Sequence, residues 1–332
     1  MLARPEEALC AKGLGVHPGA APMVPAISMS TATRERVPPA LRALLSGLID
    51  YAGLFPPAQL SLEDAAGNFV DYARGPHAWM LGKFVVPADR VEELRSLLAR
   101  NQEAQDLAVS LSVLLGPEPF RDSGFIRTEK AGESRNSQVS IDAVEFRPGS
   151  AAVVGELSKV LPERLPVFCE IPYTEDLTVW LPAVRQAHWF AKIRTGGMTP
   201  ESFPASSAVA EFLILCKTYG VALKATAGLH HPVRSRHPLT YEDQSASSVM
   251  HGFLNVFLGA ALLECGVSKD QLMAVLEDTD AANFRFSGDF AHWGKLFVNA
   301  NDIARARKHF VLSFGSCSFV EPIQDLGKLS LL

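Results

Sequence analysis

Eight short apolar runs recur along the chain, at residues 48–54, 80–87, 107–116, 143–148, 166–173, 190–195, 221–227 and 310–314, and helix-like sequence fills most intervals between them. Two strands joined through a helix pair in parallel, because a parallel connection needs a crossover of that length. Eight such units suffice to close a sheet on itself, so the pattern predicts an α/β fold of the (β/α)8 TIM-barrel type. Ser61-Leu-Glu-Asp64 reads as a capped helix start with an acidic first turn, and a second helix is predicted over 88–100. An open doubly wound sheet is the alternative, but no Gly-x-Gly-x-x-Gly follows the first run to favour it.

The spacing breaks once, before the eighth run, where an insertion at about 235–308 reads as helical. Its apolar stretch at 249–263 is interrupted by His251 and Asn255 and is short for a membrane span. That stretch packs either on the barrel or on a second copy of the chain, which leaves a homo-oligomer open. His251 reads as a helix-end packing residue, and Phe284, Phe286, Phe290 and Trp293 as a packing cluster or a lid. Residues 121–139 read as a helix remnant plus a loop. Residues 1–38 are assigned to a disordered leader, or to sequence upstream of a true start at Met29, and the single barrel domain to 39–332.

With 332 residues, 48% of them hydrophobic, the chain can build the core of one such domain. Its net charge of −5 gives no general attraction to nucleic acid or to an anionic membrane, so an anionic ligand requires a local cationic cluster. Cys10, Cys169, Cys216, Cys265 and Cys317 form no Cys-x-x-Cys pair and no export-type apolar leader is present, which together imply a reducing cytoplasm.

Alternate residues of a barrel strand face its axis. By that parity Lys192 and Arg194 share a face on the sixth strand, Lys224 and Thr226 on the seventh, and Glu145 and Arg147 on the fourth. Lys83 on the second and Glu170 on the fifth add further charges. Unpaired charges there would cost several kcal/mol, so they must pair with one another, with a ligand, or with both. An internal ion-pair network is the purely structural reading. The functional reading is a small anionic metabolite held at the carboxyl-end mouth, where barrel enzymes keep their sites, with Glu145 and Glu170 moving protons.

Two lysines in one pocket sharpen this. At about 6 Å and an effective dielectric near 20, their repulsion is roughly 3 kcal/mol, or about two pK units. A lysine neutralised in this way attacks carbonyls and forms a Schiff base. Lys192-Ile-Arg-Thr-Gly-Gly197 and Lys224-Ala-Thr-Ala-Gly-Leu229 resemble the sixth- and seventh-strand lysine segments of deoxyribose-phosphate aldolases, and Phe314-Gly-Ser-Cys-Ser-Phe319 is similar to that family's phosphate-holding turn. The resemblance implies a lyase of aldolase type with no cofactor, Lys192 as the Schiff-base nucleophile, and Lys224 as the neighbour that lowers its pKa. Gly315, Ser316 and Ser318 would bind the anion. The whole chain also resembles a bacterial barrel family of unassigned function that carries Asp50-Tyr-Ala-Gly-Leu-Phe-Pro-Pro57 near its start.

Asp50 is a further candidate for orienting a lysine, and His230 for lining the pocket, while Cys317 reads as packing. Two alternatives stay open. One is proton transfer by Glu145 or Glu170, with or without a divalent ion. The other is a non-catalytic barrel that binds an anionic metabolite.

Overall fold

A computed structural model describes residues 37–132 and 138–332, so the leader assigned to 1–38 and the choice of start lie outside the described residues up to position 36. The chain runs α1 (Pro39–Leu45), β1 (Ile49–Tyr51), α2 (Leu62–Arg74), β2 (Leu81–Pro87), α3 (Val91–Arg100), β3 (Val109–Leu114), α4 (Pro119–Gly132) and β4 (Val139–Phe146). It continues through α5 (Ala151–Leu157), β5 (Val167–Glu170), α6 (Leu177–Gln186), β6 (Phe190–Arg194), α7 (Ser206–Tyr219) and β7 (Leu223–Thr226). After β7 come β8 (Ser235–Pro238), β9 (Ser247–Met250), α8 (Phe253–Glu264), α9 (Lys269–Glu277), β10 (Phe284–Ser287), β11 (Phe290–Trp293) and β12 (Leu296–Asn299). The last elements are α10 (Ala300–His309), β13 (Val311–Ser316) and α11 (Val320–Lys328).

Strands β1 to β7 and β13 close a parallel barrel in the order β1-β13-β7-β6-β5-β4-β3-β2. Each grows from one of the eight apolar runs. Outward-facing Val, Ile, Leu and Phe pack on the helices, while the inward face carries the polar residues described below. Ser61 caps α2 by accepting the Asp64 N–H, as its sequence predicts. Of the segment expected as a helix remnant plus a loop, residues 121–132 belong to α4, positions 133–137 lie outside the described residues, and β4 begins at Val139, ahead of the expected Ala143.

The insertion before the eighth barrel strand is mixed rather than helical. Strands β8 and β9 form a hairpin, and β10, β11 and β12 form a three-stranded antiparallel sheet. The Phe284–Trp293 segment belongs to that small sheet, which packs on α1 at the amino end of the barrel, away from the mouth. It is no lid. There Arg307 of α10 donates to the carbonyls of Leu44 and Ser46 behind α1 and of Val311 and Leu312 in β13, tying the helix to the closing strand.

Helix α8 is buried along its length by its own chain, against α7, α9, α10, β12 and β13. Its polar interruptions are satisfied. Asn255 donates to the carbonyls of Val275 and Asp278 and accepts from the Arg234 N–H, so the amide joins three segments. His251 is 1% exposed, with Nε2 2.8 Å from the Pro204 carbonyl. Burial pushes its pKa down to about 4, and it stays a neutral packing residue. Because α8 is covered by its own chain, it offers no face to a second copy. Among the described residues, no helix is long and apolar enough to cross a membrane.

Candidate active site at the carboxyl end of the barrel

The two lysine segments lie side by side. Glu170 of β5, Lys192 of β6 and Lys224 of β7 are register partners in turn, and Arg194 pairs with Thr226 two residues further on. Their glycine-rich ends touch: a Cβ on Gly196 would lie 2.8 Å from the Gly228 Cα, and Gly228 itself has φ +73°. Glycine at both positions lets the two loops close over the strand ends. Thr195 locks them by donating its hydroxyl to the Ala227 carbonyl at 2.5 Å.

Inside the barrel, the charges form one alternating chain. Ser313 donates to Asp50 Oδ2 at 2.7 Å, and Lys224 Nζ lies 2.5 Å from the same oxygen and 2.7 Å from Glu145 Oε1. Glu145 Oε2 lies 2.9 Å from Lys192 Nζ, which lies 2.9 Å from Glu170 Oε2; Glu170 Oε1 then meets Arg194 Nε at 3.2 Å. Ser112 adds a 2.6 Å bond to Glu145 Oε1, and the Lys83 backbone N–H a 2.8 Å bond to Asp50 Oδ1. Lys224 Nζ also lies over the Phe168 ring, 5.2 Å from its centroid. Three carboxylates thus face three cations, and strict alternation offsets the desolvation cost of burying them.

The electrostatics follow this order. Burial pushes the Glu145 carboxyl up, but Lys192 and Lys224 outweigh it and hold the group well below the usual carboxylate range. Glu170 is lowered in the same way, by Lys192 and Arg194 against burial. For Lys224 burial acts downward, and the Asp50 and Glu145 carboxylates reverse it and hold the ammonium above its ordinary value. The repulsion expected between the two lysines is therefore answered by Glu145, whose two oxygens stand between them.

Above this network opens a cavity of about 480 Å3. Glu145, Glu170 and Lys192 form its floor, with Arg194 and Thr226 beside them, while Asp50 and Lys224 sit behind Glu145 and outside the lining. Much of the wall is apolar, including Phe55, Val85, Leu114, Met198 and Phe203. The β8–β9 hairpin and the loop it carries form the opposite rim, through His237, Leu239, Tyr241 and Met250.

Of the residues singled out in the sequence, Glu145, Glu170, Lys192, Arg194, Thr226, His230 and Gly315 line this cavity, and Asp50 and Lys224 support it. Four fall away. Lys83 stands in a bulge, where one residue of β1, Asp50, faces two of β2, Gly82 and Lys83; Gly82 takes the place facing Asp50, and Lys83 supplies only its N–H. Arg147 follows the end of β4, just before Pro148, and is exposed at a separate shallow depression. The hydroxyls of Ser316 and Ser318 serve the turn itself: the first donates to the Ser318 carbonyl, and the second accepts the Glu321 N–H at the start of α11.

Sequence reading missed Ser112, Ser313, Tyr241, Glu321 and the place of Cys317 in the cavity wall. The two serines had a signal, since each is a polar residue at an inward position of an apolar strand. Cys317 stands one residue past the end of β13 and meets residues far away in sequence, so no local pattern marks it.

Among the described residues, no group of three or more His, Cys, Asp or Glu side chains is arranged to hold a metal ion. No family model, curated protein or solved structure matches the chain. The fold and the cavity define its class, a (β/α)8 barrel with a charged site at the carboxyl ends of its strands.

Proposed function

We propose that the protein is a lyase of aldolase type, acting through a Schiff base on Lys192 with a small anionic carbonyl compound. The observation that carries this reading is the setting of the Lys192 amine. It is the cavity-facing lysine, and two carboxylates lie each 2.9 Å from Nζ, within proton-transfer distance, although both are held below the usual carboxylate range while the ion pairs stand. Passing that proton to Glu170 or Glu145 leaves the net charge of the cluster unchanged, and so avoids creating a lone charge in a desolvated site. The neutral amine attacks the substrate carbonyl, the carbonyl oxygen leaves as water with protons from the carboxylic acid so formed and from the amine, and the protonated imine then draws electrons from the bond between the α and β carbons as the freed carboxylate takes the β-hydroxyl proton and the β carbon leaves as an aldehyde. Lys224, held charged by Asp50, keeps Glu145 in position to return protons.

The cavity narrows the substrate class. Arg194 is half exposed and offers one cationic fork, suited to a carboxylate or phosphate, and the apolar wall suits a carbon body. With Ser316 and Ser318 engaged in their own turn, a carboxylate-bearing substrate is favoured over a phosphorylated one. The reduced thiols Cys169, Cys216, Cys265 and Cys317 suit a cytoplasmic enzyme.

Borohydride reduction in the presence of 2-keto acids and aldehydes tests the mechanism. An adduct mapped by mass to Lys192, and lost in Lys192→Met, is expected. A protein that turns over substrate without any trapped lysine would overturn the covalent step. The complete pairing of Lys192 favours one second reading, in which the lysine remains an ammonium that polarises the carbonyl while Glu170 moves the proton. The same trapping experiment separates the two.

A further inference from the structure

A second reactive group faces the same cavity. The Cys317 sulfur lies 4.0 Å from His230 Nε2, and His230 Nδ1 lies 3.0 Å from Glu321 Oε2. The Tyr241 hydroxyl lies 4.0 Å from the same sulfur and 3.2 Å from Glu321 Oε2. All four side chains line the cavity. The thiol thus faces an imidazole nitrogen whose other nitrogen is oriented by a carboxylate, which is the arrangement that activates a nucleophile. Cys169 and Cys216 are different: both are packed in the core, where burial pushes the thiol up and keeps it inert.

The geometry points to Cys317, His230 and Glu321 as a second reactive centre, a nucleophilic thiol that adds reversibly to an aldehyde bound in the cavity. The sulfur forms a bond to the aldehyde carbon as the C=O π pair moves onto oxygen. The thiol proton, taken by His230 Nε2, passes to that oxygen, and the Tyr241 hydroxyl is placed to hydrogen-bond it. Nothing is oxidised or reduced and no group leaves. These neighbours select an aldehyde because such an addition needs a proton donor at the oxygen and no leaving-group assistance. Arg194 in the same cavity selects an aldehyde that carries a carboxylate.

The electrostatic state of His230 favours the protonated form that delivers a proton to the oxygen. Burial lowers its pKa, but Cys317 and Glu321 more than offset that and bring it up to about 10. The signal in the sequence was split, since His230 and Cys317 lie 87 positions apart.

The centre does not rest on the Schiff base. Titrating the protein with 13C-labelled succinic semialdehyde and recording carbon NMR spectra distinguishes the two. A hemithioacetal carbon is expected in the wild-type protein and in Lys192→Met, and its loss in Cys317→Ser. An imine carbon that disappears in Lys192→Met reports the other reaction separately. Iodoacetamide supplies a check on the wild-type fold: Cys317 should alkylate about tenfold faster than Cys265 at pH 7 and lose that advantage in His230→Gln. Absence of the hemithioacetal signal, its persistence in Cys317→Ser, or alkylation of Cys317 no faster than Cys265 would overturn the proposal.

Discussion

Glu145 is the residue on which the interior turns. It accepts from Ser112, Lys192 and Lys224, and among the described residues no other carboxylate touches both lysines. Its replacement leaves two buried ammonium groups without their shared counter-charge. Glu145→Gln should therefore cost about 3–5 kcal/mol in urea unfolding, whereas Ser112→Ala, which removes one bond to a charged group, should cost about 1.5–3. Equal effects of the two substitutions would show that Glu145 is not the hub. At this scale the sequence was informative about membership and silent about pairing. Strand parity alone brings Glu145, Glu170, Lys192, Arg194 and Lys224 to one face. Which lysine reaches the cavity depends on side-chain reach across the barrel, and the β1–β2 bulge that removes Lys83 leaves no mark in the composition of either strand.

Among the elements, all eight barrel strands were legible because each is a bounded apolar run, and α2 because Ser61 announces it. The insertion was not. The β8–β9 hairpin is short, β8 is polar and alternates only between half-exposed and exposed, and β9 buries Met250 alone, so hydrophobic periodicity has little to detect. The aromatic segment drew attention instead, although its rings pack at the amino end and the unremarked hairpin supplies the rim of the site. At that amino end Arg307 is the clamp. Burial brings its pKa down to about 10, and its guanidinium is spent on backbone carbonyls of α1's exit and of β13. Arg307→Met should destabilise the protein by about 3 kcal/mol, from hydrogen bonds made by a charged donor. Hydrogen exchange should accelerate first in α1 and at the start of β13, and uniform acceleration across the barrel would contradict the clamp.

For the molecule as a whole, the shifted groups set a pH window of stability. Glu145 and Glu170, lowered from 4.5, contribute stability above that value and lose it as pH falls through their folded pKa values. His251, lowered from 6.5 to about 4, removes stability as pH falls from 6.5 toward 4, because the unfolded chain takes up its proton first. His230, raised from 6.5 to about 10, stabilises fully below 6.5 and progressively less up to about pH 10. Lys224, raised from 10.5, loses its contribution only at higher pH. Melting temperature should therefore peak near pH 6.5, with a shallow alkaline limb that flattens in His230→Gln; an alkaline limb unchanged in that variant would remove His230 as its cause. The charge chain also has a consequence for how the protein is made. Asp50 and its partner Lys224 are 174 positions apart, and Ser313 joins them from further still. While the ribosome is still making the second half, the nascent barrel holds Asp50 and Glu145 without their lysines. An early half-barrel is thus penalised, and circle and site come into being in the same step.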